Sequence, residues 1–275
     1  MATLRQLLNT SVPKLQHCSS TPFLDALLLA SLAMGVSKER ALAELSSEIP
    51  EELADSFSFL LARRTSGTPI AYIRGVQEFY GRDFIVSPSV LIPRPETELL
   101  VELAEGLSGS RVLDLCCGSG CIGISLKLQQ PWRQVTCSDI SEDALEIARQ
   151  NAERLHGEIT LLTSDLFTQI PGTFDIIISN PPYLNDEQMR SASLRSRGEP
   201  QGALYGGRSG LEFIEKIIFE GFSRLAPEGY LMIEIDHSQR YAAKHLMEEA
   251  GFSEIQLIDD LAGLTRVVMG RRLTI

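Results

Sequence analysis

The sequence predicts an α/β fold: a largely parallel sheet closed by one antiparallel hairpin, preceded by a small all-helical domain and a linking β-hairpin. Three observations carry this. Apolar residues recur at helical spacing as far as about Arg74. From Arg111 onward, apolar strand-like runs alternate with helical runs, the pattern of βαβ units. The last two apolar runs, S-E-I-Q-L-I-D-D and T-R-V-V-M-G-R-R, have only Leu261 to Leu264 between them. That is too short for a helical crossover, so they pair antiparallel. The boundaries read as 1–74 for the helical domain, 75–92 for the hairpin and 93–275 for the sheet domain.

In chain order, Leu4, Leu7 and Leu8, then Phe23, Leu27 and Leu28, then Leu53, Phe57, Leu60 and Leu61 mark apolar helix faces. V-S-K-E-R-A-L-A-E-L reads as a helix start, and Pro50-Glu51-Glu52 puts a proline and two acids into a first turn. Four or five short helices result, a bundle open to a packing, dimerisation or substrate-binding role. Ala71 to Ile92, rich in aromatic and β-branched residues and broken by Gly75 and Gly81, reads as the hairpin. P-R-P-E-T-E-L-L-V-E-L-A then opens a helix at Pro95. R-V-L-D-L-C is the first sheet strand and I-G-I-S-L-K-L its helix. Q-V-T-C-S-D-I is the second, followed by a helix capped at Ser141. E-I-T-L-L-T-S-D-L, F-D-I-I-I-S-N and Y-L-M-I-E-I follow, with helices over about Gly210–Leu225 and Tyr241–Glu249. Residues 186–207 are polar and Gly-rich, a connection long enough to call for function or disorder.

Composition narrows the function classes. At 44% hydrophobic and 22% charged residues the chain is an ordinary globular protein. A net charge of -11 argues against non-specific binding to a nucleic-acid backbone and favours a protein or small-molecule partner. A local basic patch stays open. Five cysteines, three of them within 116–121, make a poor disulfide framework and point to a reducing cytoplasm. No metal site is expected, because C-C-x-x-x-C has no matching ligand pair elsewhere. The apolar run from Ala26 spans ten residues, against about 20 for a bilayer, so no membrane role is expected.

Two segments carry the chemistry. The turn C-C-G-S-G, Cys116 to Gly120, joins a strand to a helix, and Asp139 ends the next strand nineteen residues after Gly120. Glycine lets such a turn approach a ligand, and a carboxylate past the second strand accepts hydrogen bonds from a ribose diol. The turn matches neither G-x-G-x-x-G nor a phosphate-binding loop, and Gly118 and Gly120 read equally as a structural turn. Asp165 reads as a ligand acid, a surface acid or a helix cap. The second segment is S-N-P-P-Y, Ser179 to Tyr183, at the carboxyl end of the fourth strand. Its prolines fix φ and remove two N–H donors. The Asn180 side-chain oxygen and the Pro181 carbonyl are left to accept bonds, beside the flat face of Tyr183. That suits a planar group bearing an NH2, an amide or a base amine; a rigid turn packing its tyrosine is the alternative.

S-N-P-P-Y, with D-L-x-x-G-S-G and L-I-P-R-P-E-T-E-L-L-V upstream, resembles S-adenosyl-L-methionine-dependent methyltransferases. More closely it resembles the bacterial enzymes that methylate the glutamine of peptide chain release factors. N-P-P-Y is shared with adenine-N6 DNA methyltransferases. I-P-R-P-E-T-E, E-P-Q-G-A-L-Y-G-G-R-S-G-L and D-L-A-G-L-T-R-V-V are narrower signals, and the resemblance runs from about Gly75 to Arg271. It implies a seven-stranded Rossmann-like class I methyltransferase domain behind a helical domain that helps to grip the release factor. The implied cofactor residues are Cys116, Cys117, Gly118, Ser119, Gly120, Asp139, Asp165, Leu166 and Asn180. Asn180, Pro181, Pro182 and Tyr183 would hold the target glutamine of a Gly-Gly-Gln motif, with Asn180, Pro181 and Tyr183 in the catalytic roles. Three positions depart from the family pattern: Cys116 stands where glycine is usual, Leu166 where some relatives have Trp, and Asp236 follows Glu234-Ile235 where E-I-G is common. A nucleic-acid amine methyltransferase, for which Arg190, Arg195, Arg197 and Arg208 could supply a basic rim, and a non-catalytic binding module are the rival readings.

Overall fold

The computed structural model describes residues 3–192 and 198–273. The chain divides into two compact units that meet in sequence between Val76 and Gln77.

The first unit is helical. Its elements are α1 (Leu4–Leu15), α2 (Pro22–Met34), α3 (Lys38–Ala43), α4 (Glu51–Thr65) and α5 (Ile70–Arg74). Thr3 and Gln6 form a reciprocal capping box at α1, and the Ser37 hydroxyl accepts from the Arg40 amide at α3. Leu8, Leu15, Leu29, Phe57 and Ile73 share one core. A buried ion pair ties α4 to α2: Arg64 Nε donates to Asp25 Oδ2 at 2.7 Å and Nη2 to the Cys18 carbonyl at 2.5 Å. The hairpin begins next to the expected boundary at residue 75, after the aromatic and β-branched composition that starts at Ala71, and its strands end at Ile85. Ala71 to Arg74 are helical, because Pro69 starts a turn and Ile73 is buried in the helical core before Gly75 (φ +74°) ends it. The strands proper are β1 (Val76–Phe79) and β2 (Arg82–Ile85), which pair with each other.

In the second unit, a 3₁₀ turn over Pro95–Thr97 leads into α6 (Glu98–Glu105). Then come β3 (Arg111–Leu115), α7 (Cys121–Gln129), β4 (Gln134–Asp139), α8 (Glu142–Leu155), β5 (Thr160–Thr163) and β6 (Phe174–Ser179). The remainder is α9 (Asp186–Ala192), α10 (Glu212–Arg224), β7 (Leu225–Glu234), α11 (Arg240–Glu249), β8 (Ser253–Asp259) and β9 (Thr265–Arg271). The seven strands order as β5-β4-β3-β6-β7-β9-β8. The pairs among β5, β4, β3, β6 and β7 are parallel, while β9 runs antiparallel to both β7 and β8. Two strands differ in extent: β5 covers only Thr160–Thr163 of E-I-T-L-L-T-S-D-L, and β7 is longer than expected. β7 starts at Leu225, not Tyr230, but its ladder jumps from Phe174–Leu225 to Ile176–Tyr230. The intervening Ala226 to Gly229 bulge out around Pro227, which has no N–H to give.

The sheet is sandwiched between two apolar layers, one built on Leu100, Ile124 and Leu145, the other on Phe167, Ile217 and Met247. After β3 the chain steps outward to β4 and β5, then returns to place β6 on the other side of β3. The crevice at that reversal, beyond the carboxyl ends of β3, β4 and β6, is where open α/β sheets hold ligands.

Candidate active site

A cavity of about 480 Å³ opens at this crevice, within the range of small-ligand sites. Its floor comes from the strand ends: Leu115 and Cys116 after β3, Asp139 after β4, Ser164 to Leu166 after β5, and Asn180 after β6. Its walls are mostly apolar, and Arg94, Asp139 and Asp165 are the charged lining residues.

The turn after β3 is shaped by three residues with positive φ. Cys116 (+62°), Gly118 (+53°) and Gly120 (+76°) all lie in the left-handed region. At Gly118 this turns the amide onto Asp139, whose Oδ2 accepts it at 2.9 Å while Oδ1 accepts from Ser141 N at 3.0 Å. Burial raises the Asp139 carboxyl above its ordinary pKa, and these amides work against that. Gly120 does not line the cavity. A Cβ there would meet Ile124 Cδ1 at 2.9 Å and Ala148 Cβ at 3.2 Å, so this glycine serves the packing of α7 against α8. Behind the turn, Asp114 is fully buried at the end of β3, accepts from Gly123 N at 2.9 Å and has its Oδ1 without a partner. Burial pushes its carboxyl up to about 7. Asn151, fully buried on α8, holds the turn from outside: Nδ2 donates to the carbonyls of Ser119 and Ile85, each at 3.0 Å, and Oδ1 accepts from Ile85 N at 2.6 Å.

Of the remaining expected cofactor residues, Cys117, Ser119, Asp165 and Leu166 all line the cavity. Cys117 and Ser119 are buried and Asp165 is exposed, lying past the end of β5 and not within it. Leu166 also takes a positive φ (+46°), its carbonyl accepting from Ser164 Oγ at 2.6 Å. Cys116 explains its departure from glycine only in part: the backbone there favours glycine, and burial keeps its thiol protonated. Asp236 needs no glycine conformation, with φ at -70°, and instead caps the turn at Ser238.

At S-N-P-P-Y, Asn180 and Pro182 line the cavity, whereas Pro181 and Tyr183 do not. Asn180 Nδ2 donates to Thr97 Oγ1 at 3.2 Å, and Asn180 Oδ1 is buried with no partner. Tyr183 turns its hydroxyl away to Glu234 Oε1 at 3.1 Å, and burial followed by the Glu234 charge raises its pKa. The segment after residue 198 braces this loop. A Cβ on Gly206 would lie 2.6 Å from both the Pro182 carbonyl oxygen and Tyr183 Cα, so only glycine permits that approach. Glu199 joins it to the earlier P-R-P-E-T segment, accepting from Ile92 N at 3.1 Å and pairing with Arg94 at 2.6 Å.

Sequence reasoning missed Thr97, Arg94 and Glu199 as parts of the site. I-P-R-P-E-T-E marked the segment, but nothing in it distinguished the residue at the cavity from those in the helix. Of the arginines considered for a basic rim, Arg190 and Arg208 do not line the cavity; Arg195 and Arg197 lie outside the described residues. Among the described residues no group of His, Cys, Asp and Glu is disposed to hold a metal ion, and no helix is long and apolar enough to cross a membrane.

The chain resembles solved structures of low sequence identity. A methyltransferase from Pyrococcus furiosus superposes with a TM-score of 0.56 at 22% identity, covering 79% of this chain and 100% of that one. A 16S rRNA N2 G1207 methyltransferase from Thermus thermophilus, in complex with AdoMet and guanosine, gives 0.53 at 20%, covering 72% and 49%. These likenesses place the fold among class I methyltransferases. Family models described as methyltransferase small domain and PrmC N-terminal domain match residues 95–196 and 6–75. The release factor glutamine methyltransferase of Neisseria gonorrhoeae is 40% identical over 258 residues, 92% of this chain and 94% of its own length. That of Koribacter versatilis is 36% identical over 280 residues, 99% of each. Identity at this level across both units, with the cavity and its N-P-P-Y loop in place, means that the chain belongs to the release factor glutamine methyltransferase family.

Proposed function

We propose that this protein transfers a methyl group from S-adenosyl-L-methionine to the side-chain amide nitrogen, N5, of the glutamine in the Gly-Gly-Gln motif of peptide chain release factors. The observation that carries the reading is Asn180, which lines the cavity with a buried carbonyl oxygen that has no hydrogen-bond partner among the described residues. A buried acceptor without a donor is costly by about 1–3 kcal/mol, and an incoming N–H relieves that cost.

The cavity suits the proposed methyl donor on its own chemistry. Asp139 offers carboxylate oxygens where a ribose diol would sit, the turn at Gly118 brings backbone close, and Ile140 and Leu166 give flat apolar wall. Asp139 and Asp165 at the lining favour a ligand carrying positive charge. Cys116, Cys117, Gly118, Ser119, Asp139, Asp165 and Leu166 are the residues assigned to hold it. When bound, it supplies an electrophilic methyl on a sulfonium whose leaving group is a neutral thioether.

An amide nitrogen is a weak nucleophile because its lone pair is delocalised. Asn180 Oδ1 would accept one of its N–H bonds and the Pro181 carbonyl the other, favouring charge as it develops on nitrogen, and the methylated nitrogen would release one proton to solvent late in the transfer or after it. Pro181 and Pro182 keep the loop rigid, so the acceptors are set before the amide arrives and positioning supplies much of the rate. Tyr183 does not line the cavity and holds the loop in place through Glu234. The helical unit is assigned a share in gripping the release factor. A reducing cytoplasm is the assigned compartment, consistent with five free cysteines.

The test is Asn180→Ala, with transfer of labelled methyl to a purified release factor and cofactor binding measured side by side. Transfer is expected to fall at least 100-fold with cofactor affinity nearly unchanged, the scale seen when one preorganised transition-state contact is lost. Near-native turnover would remove Asn180 from its role. Label in added RNA or DNA, and none in the release factor, would replace the function by nucleic-acid methylation.

A further inference from the structure

We propose that Arg94 holds the α-carboxylate on the methionine arm of S-adenosyl-L-methionine, and that Glu199 aims the guanidinium at it. The inference rests on the function proposed above, to which it adds a binding residue.

The methyl donor carries a sulfonium, an α-ammonium and an α-carboxylate. The acids of the cavity wall, Asp139 and Asp165, suit positive charge or hydroxyls and repel a carboxylate. Arg94 is the one cationic side chain among the described residues that line the cavity. A carboxylate taken out of water needs a partner of opposite charge, and a guanidinium meets it with two parallel N–H bonds.

Arg94 also stands at the reacting end. Methyl transfer requires the sulfonium beside Asn180, and a short carbon chain joins the carboxylate to the same sulfur. Its holder therefore belongs on the Asn180 side of the cavity. One 3₁₀ turn links the two residues: Thr97 N donates to the Arg94 carbonyl at 3.1 Å, and Thr97 Oγ1 accepts from Asn180 Nδ2 at 3.2 Å. Pro93 and Pro95 flank Arg94, and a residue before proline is confined to extended backbone, here φ -99° and ψ 144°. The stem of the side chain is thus set before a ligand arrives.

Glu199 fixes the far end. Its carboxylate is 2% exposed, accepts from Ile92 N at 3.1 Å and takes Arg94 Nη2 at 2.6 Å. A guanidinium has further donors on Nε and Nη1, and these make no hydrogen bond among the described residues, with the side chain 37% exposed. One edge of the fork is taken by Glu199, and the remaining donors suit a second carboxylate.

The experiment measures binding of two ligands to the full chain by calorimetry: S-adenosyl-L-homocysteine and its decarboxylated analogue, which differ in the carboxylate alone. Neither carries a transferable methyl, so binding is read apart from turnover. The native chain is expected to prefer the carboxylate-bearing ligand by about 10-fold or more, the scale of a charge-assisted hydrogen bond at a partly exposed site. In Arg94→Met the preference is expected to shrink to about threefold or less, with the analogue bound within about threefold of its native affinity. A merely structural Arg94 would weaken both ligands alike and keep the native ratio, and that result would overturn the assignment. Equal binding of the two ligands by the native chain would overturn it as well. Glu199→Gln keeps the size of Glu199 and loosens its hold on Arg94, so an intermediate ratio is expected; a native ratio there would remove Glu199 from the role. If R94M does not fold, Arg94→Gln, which keeps an N–H for Glu199, is judged by the same ratio. Failure of the native chain to bind either ligand would overturn the cofactor reading of the cavity together with this inference, whereas binding with an unchanged ratio overturns this inference alone.

Discussion

Asn151 supports the ligand turn without reaching the cavity, so its loss separates turn stability from chemistry. Its side chain is fully buried and makes three bonds: from the Ile85 amide at 2.6 Å, and to the carbonyls of Ile85 and Ser119 at 3.0 Å each. Asn151→Ala removes all three and leaves one backbone donor and two acceptors without their partner. At about 1 kcal/mol per bond the loss is about 3 kcal/mol. In a domain of this size that is a fall in Tm of about 6–12 °C, readable by calorimetry or circular dichroism, with a matching drop in the urea midpoint. Because Ser119 belongs to the turn at the cavity, S-adenosyl-L-methionine affinity is expected to weaken in the same variant. A loss under about 1 kcal/mol, with unchanged cofactor affinity, would refute both the bond count and the coupling of α8 to the turn.

Cys116→Gly relieves a side chain held at φ +62°, worth about 1–2 kcal/mol, against about 0.4–1 kcal/mol of added unfolded-state entropy. A small net gain in urea stability is expected, and a net loss would contradict the strain assignment. Asp25→Ala strands Arg64 in the helical unit, where the pair is 6% and 12% exposed, and is expected to cost about 3 kcal/mol in urea unfolding. A cost below about 1 kcal/mol would mean that the guanidinium is held by the Cys18 and Thr68 carbonyls alone. Asp114 sets a pH dependence. Its carboxyl is raised from 3.8 to about 7, so between those values the folded chain keeps a proton that the unfolded chain has released. Its contribution to stability therefore falls as pH rises through that window and is flat above it. Asp139 and Glu234, raised by burial, act with the same sign. Urea midpoints between pH 5 and pH 8 are expected to decline, less steeply in Asp114→Asn; an identical slope in that variant would refute the assignment.

Most of the sheet was legible because its strands are continuous apolar runs ending in residues that stop strands. F-D-I-I-I followed by N-P-P and Q-V-T-C-S followed by Asp139 placed two strand ends and the site between them. Ala71 to Arg74 read both ways, since helical spacing runs to about Arg74 while Tyr72 and Ile73 carry strand propensity, and burial of Ile73 among helices decides for the helix. Tyr183 was readable as part of the site but not as a hydroxyl turned to Glu234, since that partner lies 51 residues away. Gly120 looked like a ligand glycine for the same reason that it is a packing glycine: both need a missing Cβ, and only the nearness of Ile124 and Ala148 separates them. Thr97 was invisible as a site residue because its bond to Asn180 exists only once the 3₁₀ turn and the loop after β6 come together.

The most direct test of the function is to map the product. The native protein, S-adenosyl-L-methionine and a purified release factor are incubated together, and the release factor is digested and sequenced by tandem mass spectrometry. One methyl on the side-chain nitrogen of the Gly-Gly-Gln glutamine is the predicted result, absent when Asn180→Ala replaces the native chain. Methyl on any other residue, or a release factor left unmodified while the cofactor binds, would contradict it.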